Sequence, residues 1–206
     1  MRILLIILSL SLVFASCKKK GKADFILRGA VTNTSFSIGL SGATVRLYSL
    51  QAGTTQEQLI GTTSTSSDGT YSFVFPRDNV LSYRLLIEKQ NYFSVNSSIN
   101  FSDMTIENDN VRDFATTAKA WAKLHFIKQS GVGSVNYTII VGKKNCDECC
   151  SSNQQVLTSI SDTSVYCIND GNSVFTYSYF IPGTTIVGEK TGVTIPFDTT
   201  EILLTF

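Results

Sequence analysis

Asp68-Gly69-Thr70-Tyr71-Ser72-Phe73-Val74-Phe75 is the stretch that decides the fold. Asp and Gly both tolerate positive φ, so the pair reads as a tight hairpin turn. Tyr71, Phe73 and Phe75 then recur at period two, the spacing of a strand with one buried face. Working outward, the same alternation returns in Asp24 to Thr32, with Phe25, Leu27 and Val31 opposite Arg28, and in Ala43 to Leu50, with Val45 and Leu47 opposite Arg46 and Tyr48. Gln58 to Thr65, the Tyr83, Leu85 and Ile87 row, Tyr92 to Phe101 and Val111 to Thr116 extend it to about seven strands separated by turns, the pattern of a β-sandwich. No long window carries apolar residues at spacings of three and four, and Ser, Thr, Asn, Gly and β-branched residues are plentiful. The chain is therefore expected to be all-β.

Three segments carry a family resemblance. Gly29-Ala30-Val31, Ser41-Gly42-Ala43-Thr44-Val45-Arg46-Leu47, and Thr63 to Ser67 followed by Asp68 to Phe73 resemble the carboxypeptidase regulatory-like domain, a transthyretin-like sandwich. Lys89-Gln90-Asn91-Tyr92 resembles that family's K-x-G-Y corner, with Asn91 where the family has glycine; both residue types accept the left-handed conformation. The resemblance covers residues 24 to 100 and implies an accessory module without a catalytic residue.

In the second half, Ala120, Ala122, Leu124 and Phe126 alternate with Lys119, Trp121, Lys123 and His125, a strand with one polar face. Val135 to Val141, Val156 to Ile160, Thr163 to Asn169, Ser173 to Phe180, Thr184 to Lys190 and Glu201 to Phe206 follow. They predict a second sandwich over residues 118–206, immunoglobulin-like or another copy of the transthyretin-like kind, after a first over 24–117. The halves do not align as a sequence repeat.

The start of the chain has a different character. Met1-Arg2, the apolar run Ile3 to Phe14, and Ala15-Ser16 directly before Cys17 resemble a bacterial lipoprotein signal. That resemblance implies that residues 1–16 are removed and that Cys17 bears a diacylglycerol and an N-acyl chain such as palmitate. A transmembrane helix is not expected, since the run from Ile3 to Ala15 would span only about 20 Å of a roughly 30 Å hydrocarbon core. More than one acyl chain gives stable anchoring at about 0.8 kcal/mol per buried CH2. Residues 17–23 form a tether in which Lys18, Lys19, Lys20 and Lys22 stand where surface-exported lipoproteins have an acidic tract. The expected location is the cell envelope, on the outer membrane facing the periplasm.

Charge excludes one class of partner. Four of the bases lie in the tether; residues 24–117 hold six bases and nine acids, and residues 118–206 six and seven. Neither half has the basic face that nucleic-acid binding needs.

With Cys17 acylated, Cys146, Cys149, Cys150 and Cys167 remain, an even number suited to disulfides in an oxidising compartment. A vicinal Cys149–Cys150 bond is sterically poor, which leaves Cys167 paired with Cys149 or with Cys150. A four-thiolate zinc site would have paired spacing on one side only, and a thioredoxin-type centre would need a strand-to-helix context. Asp103, Glu107, Asp109 and Asp113 form a weak calcium candidate without an EF-hand pattern. His125 is the one histidine, and no G-x-S-x-G elbow accompanies it. Trp121, Tyr48, Tyr166 and the Phe175, Tyr177, Tyr179 row offer aromatic surface for a glycan or a protein, although such rows are more often the core face of a sandwich. The expectation is a non-enzymatic, lipid-anchored envelope module with no cofactor, bound to another envelope protein or acting as a carbohydrate-binding accessory lipoprotein.

Overall fold

The computed structural model describes residues 23–206 apart from 132 and 145. The expectations for the 1–16 leader, for Cys17 with its acyl chains, and for the lysine tether lie outside the described residues. Among the described residues, every regular element but one short 3-10 turn is a strand. The first group comprises β1 (Asp24–Asn33), β2 (Ile38–Gly39), β3 (Thr44–Leu50), β4 (Glu57–Ser64), β5 (Thr70–Pro76), β6 (Ser82–Glu88), β7 (Val95–Asn100), β8 (Asn110–Val111) and β9 (Phe114–Thr116). The second comprises β10 (Lys119–Ile127), β11 (Val135–Val141), β12 (Gln155–Leu157), β13 (Asp162–Asp170), β14 (Ser173–Phe180), β15 (Val187–Thr194) and β16 (Thr199–Thr205).

Alternation in the sequence becomes burial in the fold because successive strand residues face opposite sides. Phe25, Leu27, Val45, Leu47, Tyr71, Phe75, Tyr83, Leu85 and Ile87 are buried in one core. Leu124, Phe126, Val135, Tyr137, Phe175, Tyr177, Ile202 and Leu204 fill another. Each core lies between two sheets, so the chain is two consecutive β-sandwiches. Phe175 and Tyr177 are buried as expected of a core row, and Tyr179 packs against them half-buried.

Both sandwiches share one strand order. In the first, β1 lies between β5, antiparallel, and β8 and β9, parallel; the facing sheet runs β4-β3-β6-β7. In the second, β10 lies between β13, antiparallel, and β16, parallel, and the facing sheet runs β12-β11-β14-β15. Setting aside the two-residue β2, the first strand joins the fourth and the last, while the third, second, fifth and sixth make the other sheet. An immunoglobulin constant-type sandwich instead groups the first, second, fifth and fourth strands. Of the two expected forms, the second sandwich has the copied topology.

The turn at Asp68-Gly69 corrects one expectation. The strands on either side do not form a hairpin: β4 pairs with β3 and β5 pairs with β1, so the turn carries the chain from one sheet to the other. Gly69 N donates to Ser66 O at 3.0 Å, Thr70 N donates to Ser66 Oγ at 3.0 Å, and Asp68 Oδ1 accepts from Thr70 Oγ1 at 2.9 Å. Glycine is required here for two reasons: φ is +87°, and a Cβ would lie 2.5 Å from Val31 O. Asn91, at the K-x-G-Y-like corner, has φ +63°, the conformation its resemblance to glycine implied.

Candidate functional site at the joint and on the second sandwich

Two residues, Thr117 and Ala118, separate β9 from β10, and Ala118 is fully buried. A link this short leaves little freedom, and the surrounding backbone removes more of it. Ala118 N donates to Ser35 Oγ at 3.0 Å, Lys119 N to Asn91 O at 2.8 Å and Phe93 N to Thr117 O at 3.2 Å, and Ala118 bridges Tyr92. From the second sandwich, Asn172 Nδ2 reaches Ser35 O at 2.7 Å. The Phe197 ring stacks on Phe36 at 6.1 Å and meets Tyr92 edge-on at 5.4 Å. Phe197 does so from φ +65°, a conformation that costs a bulky residue about 1–2 kcal/mol and persists only where surrounding contacts fix it.

Beside this joint lies a groove with two lobes of about 360 and 550 Å³, lined by Phe93, Ser94, Thr117, Lys119, Lys143 and Cys146, among others. Lys143 Nζ sits 4.0 Å from the centre of the Phe93 ring and is 2.6 Å from Asp170 Oδ1, which Thr117 Oγ1 also contacts. Lys119 Nζ is 3.0 Å from both carboxylate oxygens of Glu148.

Glu148 belongs to the cysteine loop, whose connectivity the fold resolves: Cys146 pairs with Cys149, and Cys150 with Cys167. Cys167 is fully buried in the second core, so the second bond ties the loop to β13 from inside. With all four sulfurs in disulfides, neither the four-thiolate zinc site nor a free dithiol is formed. Sequence spacing left two connectivities open because both put Cys167 opposite the same short loop.

The acidic segment does not converge. Arg28 Nε pairs with Asp109 at 2.9 Å, Asp113 Oδ1 accepts from Ala30 N at 2.8 Å, and Asp103 accepts from Asn100 Nδ2 at 3.2 Å. Glu107 is fixed through its backbone, its N–H donating to Thr105 Oγ1 at 3.1 Å. Asp109 and Asp113 thus tie the 103–113 segment to β1, and no metal-holding group of three or more His, Cys, Asp or Glu occurs among the described residues.

His125 is the residue whose surroundings the sequence left blank. β10 is the middle strand of its sheet, and β13 and β16 place carboxylates on either side of the ring. Asp162 Oδ1 is 2.7 Å from Nε2 and Glu201 Oε1 is 2.7 Å from Nδ1; Lys123 Nζ reaches the same Glu201 oxygen at 2.8 Å. Two acceptors on opposite ring nitrogens are satisfied only by the imidazolium, which donates at both. The Asp162 hydrogen bond, and then that of Glu201, hold the His125 pKa above its ordinary value, while Lys123 and His125 hold Glu201 below its own. Because the carboxylates lie on opposite nitrogens, they cannot share one metal ion with the ring. In that doubly donating form the ring has no lone pair with which to act as a base, and the row is an ionic clamp across three strands.

The exposed aromatics sort differently. Tyr48 is capped by the Arg84 guanidinium at 4.4 Å, itself paired with Glu57. Tyr166 is 59% exposed, opposite Lys123 in the register. Trp121 is half-buried on the same face.

No family model and no curated protein matches the chain. Solved structures are similar at low levels. A 3-chlorocatechol 1,2-dioxygenase from Rhodococcus opacus 1CP has 11% identity over 48% of this chain and 61% of its own, with a TM-score of 0.36. A streptococcal ancillary pilin has 11% identity over 89% of this chain and 63% of its own, with a TM-score of 0.40. The shaft pilin SpaA from Lactobacillus rhamnosus GG has 9% identity over 88% of this chain and 96% of its own, with a TM-score of 0.37. The chain thus spans less than two thirds of the dioxygenase and of the ancillary pilin.

Proposed function

We propose that this is a non-catalytic, lipid-anchored module of a bacterial cell envelope that holds its second sandwich away from the membrane for a partner. The observation that carries the reading is the joint. Asp24 opens β1 at the end opposite to Asn33 and Ser35, where the second sandwich attaches. At about 3.3 Å per residue, β1 runs about 33 Å toward the joint and β10 about 30 Å beyond it. A two-residue link fixed by backbone hydrogen bonds and by the Phe197 ring suits a spacer that keeps one orientation. An anchor at Cys17 would sit within a few residues of the near end, and the loops after β10, β12 and β14 would be the parts furthest from it. The sole histidine serves the sheet as a clamp, which also favours a structural role over a reaction. The partner is another envelope protein or a glycan.

The anchor is tested with Cys17→Ala. The wild-type protein is expected in the membrane fraction, labelled by an alkyne fatty acid, and the variant is expected soluble and unlabelled. A variant that stays membrane-bound and labelled would remove the lipid anchor from the reading.

A further inference from the structure

The outer face of the β13-β10-β16 sheet combines two aromatic side chains with the His125 row. Ala120, Ala122, Leu124 and Phe126 point into the core, so Trp121, Lys123 and His125 point out along the middle strand. The register sets Tyr166 and Glu201 on either side of Lys123, and Ser164 and Leu203 on either side of His125. Tyr166 is diagonal to Trp121, a relation that places side chains about 7–8 Å apart on one face. An exposed ring and a half-buried indole therefore lie against a polar row whose members are already hydrogen-bonded to one another.

We propose that this face binds a neutral saccharide, with a sugar ring stacked on Tyr166 beside Trp121 and sugar hydroxyls bonded to the Lys123, His125, Glu201 and Asp162 row. The proposal takes the envelope-module reading as its frame and names the partner. Three observations select the occupant. First, the row carries both signs: Lys123, and His125 when protonated, face the carboxylates of Glu201 and Asp162, so the face presents no single-sign patch to a polyanion or a polycation. Second, a pyranose has an apolar C–H face and a rim of hydroxyls that both donate and accept. It thus matches an aromatic plane bordered by donors and acceptors better than an apolar peptide does. Third, the polar groups are held by bonds of 2.7–2.8 Å before any ligand arrives, while Asp162 and Glu201 keep 68% and 49% of their side-chain surface exposed. Ordering costs on binding are correspondingly small.

The chain supplies its own reporter, because Trp121 is its only tryptophan. The full protein, held in a polyoxyethylene detergent that carries no sugar headgroup, is titrated with laminarihexaose, cellohexaose, mannohexaose and chitohexaose while indole emission is followed. A saturable change with at least one of the four is expected. It should weaken about tenfold in Tyr166→Ala and persist in Leu59→Ser, a control on the other sandwich. No saturable change with any of the four, or a change that survives Tyr166→Ala, would overturn the proposal. So would binding restricted to heparin, or capture of a protein in place of a glycan by a photo-crosslinker at Tyr166. Cys17→Ala leaves this titration intact, so the anchor and the glycan face fail separately.

Discussion

The two sandwiches share a strand order but close the same edge by different means. In the first, the third strand, β4, is eight residues long, pairs with β3 along its length and packs against β5 of the facing sheet. In the second, the equivalent strand, β12, has three residues, and pairs with β11 only at Val135, Asn136 and Tyr137. The chain that would have lengthened β12 is instead the cysteine loop, and Cys150–Cys167 fastens it to β13. A covalent bond thus replaces a ladder. No cysteine occurs in residues 24–117, and the first sandwich relies on aromatic packing, with Phe25, Phe75 and Tyr83 in mutual ring contact.

Removing the staple should break the second sandwich first. Cys150→Ser opens a loop of 17 residues and is expected to cost about 3 kcal/mol in the entropy model. In denaturant titrations of the full protein, the transition reported by Trp121 should shift while tyrosine signals of the first sandwich hold. If both shift together, the joint makes the two sandwiches one cooperative unit.

The complementary lesion is Gly69→Ala. It places a Cβ against Val31 O from a left-handed φ and should cost about 1–3 kcal/mol in the first sandwich alone. A midpoint unchanged within error would mean that the corner moves aside freely and does not govern the crossing between sheets.

The smallest effect is that of the ionic clamp around His125 in the second sandwich. Asp162 from β13, Glu201 from β16 and Lys123 on the same strand face His125. A histidine whose folded pKa lies above its unfolded value of about 6.5 contributes stability in full below that value and loses it as pH rises through the folded pKa. The melting temperature should therefore fall slightly from pH 6 upward in the wild type, and His125→Gln should flatten this slope. An equal slope in the variant would assign the pH dependence to other groups.

Much of this architecture is legible in the sequence because strand faces are local. Val45, Leu47, Leu124 and Phe126 alternate with polar neighbours and are buried, whereas the Val135, Tyr137, Ile139 row loses its phase at a bulge that leaves Val141 exposed. The hairpin reading of Asp68-Gly69 failed for the complementary reason: a turn states that the chain reverses, but not which strand each arm pairs with. Likewise, nothing within the β10 segment announces that His125 will lie between Asp162 and Glu201, which are 37 and 76 residues away.

Taken alone, the sequence determined the all-β class, the inward and outward residues of most strands, and an even set of four cysteines in the second half. Those features follow from period-two geometry and from counting. Only the tertiary structure decided that the two sandwiches are copies of one topology, that Cys167 pairs with Cys150, and that Tyr166, Trp121 and the His125 row share a face. Each of these depends on register between distant strands, and that register is set by the packing of whole sheets.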